Sequence, residues 1–295
     1  MSVVFSPDKH ATAVTGDTVA PARASDRPHR AARRARRIAA ARIDRALRTV
    51  GQVVLFMGFG LLGLFYIAAV VPWVLLSRRD AAGRREAARD WSYRLLKLTI
   101  DAGCALRLIT LDARDLDRVP AGALIVANHP TLIDAFFFMG RVRGVVPIAK
   151  RALLGNWTVG PAIRLSDYVI NDAGLAMVED CVTRLDAGET LLVFPEGTRT
   201  VAGQPLALRR GAAQIAVRAR RAPVPVTIRA TGSLLAKGGR WWLAPAQRPS
   251  FTLVAHAPVD IEPFLAAGST AVAARQLTDH LQQFFARELA RSGAA

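Results

Sequence analysis

Two short apolar runs, each ending in a proline-marked polar loop, limit the fold of this chain more than any other feature. Ala123-Leu124-Ile125-Val126-Ala127 leads into Asn128-His129-Pro130-Thr131-Leu132-Ile133-Asp134, and Leu191-Leu192-Val193-Phe194 leads into Pro195-Glu196-Gly197-Thr198-Arg199-Thr200. Short, branched and uncharged, both runs read as buried strands. Pro130 stops the extended chain and biases His129 away from helix. Polar residues carried at the ends of buried strands in an α/β sheet are held rigidly and face a crevice, where such folds bind ligands.

The first loop has its own chemistry. Asp134 lies five residues beyond His129, close enough for a tight turn to return its carboxylate to the imidazole. A carboxylate on one ring nitrogen fixes the tautomer and leaves the other nitrogen free to take a proton. No Ser or Cys nucleophile stands beside the pair. The pattern therefore points to a base that activates a hydroxyl of the substrate.

An Asn-His-x4-Asp element followed by Phe-Pro-Glu-Gly-Thr-Arg resembles the PlsC-type glycerolipid acyltransferases, the family of 1-acylglycerol-3-phosphate acyltransferases, over roughly Leu106 to Ile261. The resemblance implies an α/β fold: a single glycerolipid-acyltransferase-like domain with a mixed sheet flanked by helices. It implies His129 and Asp134 as catalytic residues and Asn128, Glu196, Gly197, Thr198, Arg199, Asn171 and Arg210 as substrate-binding residues. Among the bases near the second motif, Arg199, Arg209 and Arg210, we place Arg199 first as the phosphate holder, since its fork can make two parallel hydrogen bonds. Glu196 is expected to orient the acceptor or to hold Arg199. The expected donor is acyl-CoA or acyl carrier protein as co-substrate, with no cofactor and no metal. The expected acceptor is a lysolipid, 1-acyl-sn-glycerol-3-phosphate by default, giving phosphatidic acid.

Two positions depart from the family pattern. Ala152 stands where a Lys-x-Glu-Leu pattern has its acid, and Asp172 follows Asn171 where an arginine is usual. An anion at a phosphate site would repel its ligand by about 1 kcal/mol or more. Lyso-ornithine lipid, another lysophospholipid or an acceptor of a polyene-lipid pathway therefore stays open beside the default.

Much of the formal charge of +17 is local, since residues 1–50 hold eleven Lys or Arg against four Asp. Arg30, Arg33, Arg34, Arg36, Arg37, Arg42, Arg45 and Arg48 form a run without interleaved aromatics, which suits membrane phosphates better than nucleic acid. Thr49 to Ser77 then holds no charge. As a helix this stretch reaches about 40 Å, beyond the ~30 Å hydrocarbon core. Arginines flank both ends, so charge does not orient it. Gly58, Gly60, Gly63 and Pro72 leave two arrangements open: one membrane helix, or a helical hairpin dipping into one leaflet. The expected setting is the inner (cytoplasmic) membrane with the catalytic domain facing the cytoplasm. The expected partition is a disordered tail over 1–29, a basic and membrane-anchoring segment over 30–80, and the acyltransferase domain over 81–295.

Cys104 and Cys181 lie outside any metal spacing and read as reduced thiols. A helix is expected over Arg84–Arg107, with Leu95, Leu96 and Leu98 in the core. Strands are expected at Leu106–Leu111, Val145–Ala149, Pro223–Ile228, Trp241–Leu243 and Ser250–His256. Helices are expected at Lys150–Leu154, Gly174–Asp186 with Leu175, Val178, Val182 and Leu185 inward, Gly211–Arg221 and Thr270–Arg291.

Overall fold

The computed structural model describes residues 26–172, 174–200, 204–232, 242–266 and 268–291. Of the tail expected over 1–29, residues 1–25 lie outside the described residues, as does Trp241, while residues 26–29 already belong to the first helix. The chain divides into two units between Asp44 and Arg45.

Helix α1 (Asp26–Phe65) runs into a five-residue π turn (Tyr66–Val70) and α2 (Val71–Ser77), so Ala32–Ser77 is one helix of 46 residues, long and apolar enough to cross a membrane. Of the two arrangements left open, a hairpin turn does not form at the glycines or Pro72, and the helix continues past them. Gly58 and Gly60 face open space, Gly63 lies against Thr158, and Pro72 comes just after the π turn, a local widening that interrupts the regular hydrogen-bond ladder. The chain reverses instead at Arg78–Asp80, where Asp80 accepts the Gly83 N–H at 2.7 Å and caps α3 (Ala81–Ala105).

From Arg45 onward one side of this helix is laid against the rest of its unit. Arg45 Nε donates to the Ala244 carbonyl at 2.9 Å, and the Arg48 guanidinium donates to the carbonyls of Pro245 and Ala246 at 2.9 and 3.1 Å. Phe59 stacks near Phe136, the Tyr66 hydroxyl donates to the Ala88 carbonyl, and Val70 and Val74 are buried. The opposite side is bare: Leu47, Val50, Val54, Met57, Leu61 and Leu64 recur every three or four residues and are 45–68% exposed.

Among the described residues seven strands form one sheet: β1 (Thr110–Asp112), β2 (Leu124–Ala127), β3 (Val146–Lys150), β4 (Val169–Asn171), β5 (Leu191–Val193), β6 (Pro223–Thr231) and β7 (Ser250–Ala255). Their order is β1-β7-β6-β2-β5-β3-β4, parallel throughout except for the antiparallel pair β6–β7. Helices α4 (Asp134–Arg141), α5 (Gly160–Leu165), α6 (Leu175–Asp186), α7 (Gly211–Arg218), α8 (Glu262–Leu265) and α9 (Thr270–Arg291) fill the connections and the carboxyl end. Alternate residues of β2 enter opposite cores. Leu124 and Val126 pack with Val178, Ile215, Leu277 and Phe285 from α6, α7 and α9; Ile125 and Ala127 pack with Phe137, Phe138 and Ile100 from α4 and α3.

Several local expectations need correction. The strand at Leu106–Leu111 begins only at Thr110, because α3 ends in a left-handed turn at Arg107 (φ 55°) whose next residue, Leu108, bonds back to the Gly103 carbonyl at 2.9 Å. Trp242 and Leu243 form a turn, not a strand. After Lys150 the chain makes a 3-10 turn over Arg151–Gly155. Leu98 and Leu175 are 57% and 56% exposed, so the inward faces are Leu96 with Ile100, and Val178 with Cys181 and Leu185.

Candidate active site

The crossover from β2 leads towards β3, whereas that from β5 leads past β2 to β6. Adjacent parallel strands whose connections depart in opposite directions leave a crevice at their carboxyl ends. The loops that follow β2 and β5 meet there.

Asn128 fixes the exit from β2. Its side-chain amide donates to the Ile228 carbonyl at 2.9 Å and accepts the Ile228 N–H at 2.7 Å, adding a rung between β2 and β6. His129 follows. Its Nδ1 lies 2.9 Å from Asp134 Oδ2, and its ring lies 4.3 Å from that of Phe194, nearly parallel at 20°. The Asp134 side chain is fully buried at the start of α4, where the helix dipole favours negative charge. Thr131 holds it from the backbone, donating its N–H to Oδ2 at 2.7 Å, and its hydroxyl donates to Oδ1. An oxygen facing Nδ1 places the ring proton there and leaves Nε2 as the base. The imidazole is 18% exposed, enough for a substrate to reach.

Glu196 takes a part the sequence did not suggest. Its Oε1 accepts the His129 N–H and the Thr200 hydroxyl, both at 2.8 Å, while the Thr200 N–H returns to the His129 carbonyl at 2.7 Å. Burial pushes the Glu196 carboxyl above its ordinary range, and those two hydrogen bonds pull partly against it. The acid thus ties the two loops together through backbone and hydroxyl groups.

Gly197 turns the second loop with φ 67°, and a Cβ there would lie 3.0 Å from Arg209 Nε. Arg209 is therefore laid across the Glu196–Gly197 turn, its own N–H bonded to the Pro195 carbonyl at 2.7 Å. A Gly197→Ala chain should unfold about 1–2 kcal/mol more easily, from the left-handed backbone alone. Chemical denaturation reads this directly, and an unchanged midpoint would show that the turn tolerates a side chain.

The remaining expected site residues are spread more widely. Thr198 is exposed, with its hydroxyl on the Arg199 carbonyl at 3.2 Å, and Arg199 is half-buried in the same loop. Arg210 is exposed at the amino end of α7. Asn171 ends β4, three strands from β2, or about 14 Å at ~4.8 Å per strand. Asp172 does not stand as a lone anion: Arg151 Nε donates to its Oδ1 at 2.7 Å, and a second guanidinium nitrogen meets Oδ2. The repulsion expected of Asp172 is offset by this neighbouring fork. Among the described residues no group of His, Cys, Asp and Glu could hold a metal ion.

The strand-end His with its buried Asp, tied to a Glu-Gly turn, lies within residues 111–229, which match the family model described as Acyltransferase. The same architecture recurs in the crystal structure of the 1-acyl-sn-glycerophosphate (LPA) acyltransferase PlsC from Thermotoga maritima: TM-score 0.59, 26% identity, covering 82% of this chain and 97% of that one. The chain is similar to the PlsC-type acyltransferases, with the family match confined to residues 111–229. Among curated relatives, the human 1-acyl-sn-glycerol-3-phosphate acyltransferase alpha is 36% identical over 112 residues, 36% of this chain and 40% of the relative. A 1-acyl-sn-glycerol-3-phosphate acyltransferase from Chlamydomonas reinhardtii is 30% identical over 136 residues, 44% of this chain and 40% of the relative. The chain spans about two fifths of the length of these curated PlsC-type relatives.

Phe194, Thr131 and Thr200 were not among the expected site residues. Thr131 carries a signal: a Thr three residues before an acid, ahead of an apolar run, is the spacing of helix-start capping. Phe194 and Thr200 have none, since their roles exist only once β2 and β5 are neighbours.

Proposed function

We propose that this chain transfers a fatty acyl group from a thioester donor, acyl-CoA or acyl carrier protein, to the free hydroxyl of a lysolipid. The carrying observation is the 2.9 Å contact between His129 Nδ1 and the buried Asp134, with the ring itself 18% exposed. Nε2 takes the hydroxyl proton as the oxygen attacks the thioester carbonyl. The tetrahedral intermediate then expels the thiolate, which recovers the proton from the imidazolium. No acyl-enzyme forms.

The preferred acceptor is 1-acyl-sn-glycerol-3-phosphate. Support comes from the names of the relatives and from the arginines around the second loop: Arg209 over Gly197, with Arg199 and Arg210 beside it in sequence. A different lysolipid, such as a lyso-ornithine lipid, is the alternative acceptor, but Asp172 does not argue for it, since Arg151 already pairs with its carboxylate. We also infer membrane residence at the cytoplasmic face of the inner membrane. The apolar helix packs against the rest of its unit along one side, which suits lying in one leaflet better than standing across it. Its bare side supplies the lipid contact.

Single-turnover release of thiol from acyl-CoA and from acyl carrier protein, measured with a panel of lysolipids, tests the reaction and its acceptor together. Release with lysophosphatidic acid is the expected result. Release with lyso-ornithine lipid alone would move the assignment to that acceptor, and no release with any pairing would remove acyl transfer.

A further inference from the structure

The arginines before residue 45 have no part in the proposed reaction. Arg33, Arg34, Arg36, Arg37 and Arg42 are exposed on α1 and, among the described residues, make no hydrogen bond or ion pair. Arg45 and Arg48, by contrast, are engaged by the carbonyls of Ala244, Pro245 and Ala246. Every Lys-or-Arg position from 26 to 48 is arginine, and the only acids there are Asp26 and Asp44. Along the helix, Arg30, Arg33, Arg34 and Arg37 follow the i, i+3, i+4, i+7 spacing of one face, while Ala32, Ala35, Ala39 and Ile43 form a narrow stripe on the other, flanked by Arg36 and Arg42.

We propose that residues 30–44 are a docking surface for an anionic bilayer, with the arginine face gripping lipid phosphates and the alanine face resting on the acyl boundary. A guanidinium fork matches a phosphate and is weakly hydrated, so arginine suits this task better than lysine. A basic amphipathic helix lies in the interface plane by this division of labour. Nucleic acid presents phosphates too, but no aromatic residue stands between 26 and 48 to stack on bases. The same helix also continues into the uncharged apolar segment, which has no use for a polymer in water. The proposal rests on the membrane setting inferred above and is independent of acyl transfer.

The test uses the full chain in lipid nanodiscs, made either from phosphatidylcholine or with a third of the lipid as phosphatidylglycerol. Trypsin cleavage at Arg33, Arg34, Arg36 and Arg37 is followed by mass spectrometry, with the exposed Arg220 as internal reference. Each arginine near an anionic surface contributes about fivefold in binding, so cleavage should slow at least about tenfold in the anionic discs. High salt should restore it, because exposed charges are screened. Equal rates in the two discs would overturn the proposal. So would stronger protection by a nucleic-acid duplex supplied at the same phosphate concentration. Neither outcome depends on turnover, so failure here is separable from failure of the proposed reaction.

Discussion

Replacing His129 by Ala should lower single-turnover acyl transfer by about 10²–10⁴-fold, the range that a positioned general base supplies. The fold should survive. The ring is part-exposed, and the backbone of residue 129, which carries the bonds to Glu196 and Thr200, is kept by alanine. Circular dichroism and the denaturation midpoint then separate chemistry from stability: a chain that stays folded with collapsed turnover fits the base assignment. Near-normal turnover would defeat it.

Asp134→Asn should be worse on two counts. The carboxylate accepts the Thr131 N–H, the Thr131 hydroxyl and the His129 ring, all in a fully buried place. An amide has one oxygen for three donors, and its NH2 must then face one of them. A buried donor left without a partner costs about 1–3 kcal/mol, so the unfolding free energy should fall by that order. Turnover should fall by a factor comparable to His129→Ala, because the ring loses the acceptor that keeps its proton on Nδ1. The double variant should lose little more activity than either single one, since the two side chains act as a unit. Losses that multiply would show that Asp134 and His129 act separately.

Much of the sheet was readable before any coordinates, for a physical reason. The runs at 123–127, 191–193 and 223–228 are buried on both faces and, Thr227 apart, carry no polar residue to blur the pattern. The last helix was likewise readable at Thr270–Arg291, its stripe of Leu277, Leu281 and Phe285 being wholly buried. Leu106–Leu111 misled because its alternation was real but Arg107 was needed to terminate α3. The glycines at 58 and 60 left a hairpin open beside a single helix, because a helix that packs along one side tolerates small residues on its open side. In the site, the spacing of His129 and Asp134 was legible because both lie in one loop. The tie from Glu196 to the His129 backbone was not, since it joins loops sixty-seven residues apart that only the β2–β5 pairing brings together.

That tie means the two loops form one cassette. A graft that carries Asn128–Asp134 into a related scaffold without Phe194–Thr200 would bring the base but leave behind its stacking partner and the acid that grips its main chain. Natural variation in one segment is therefore constrained by the other, and a shuffling experiment that keeps them paired should retain far more working chimeras than one that cuts between them.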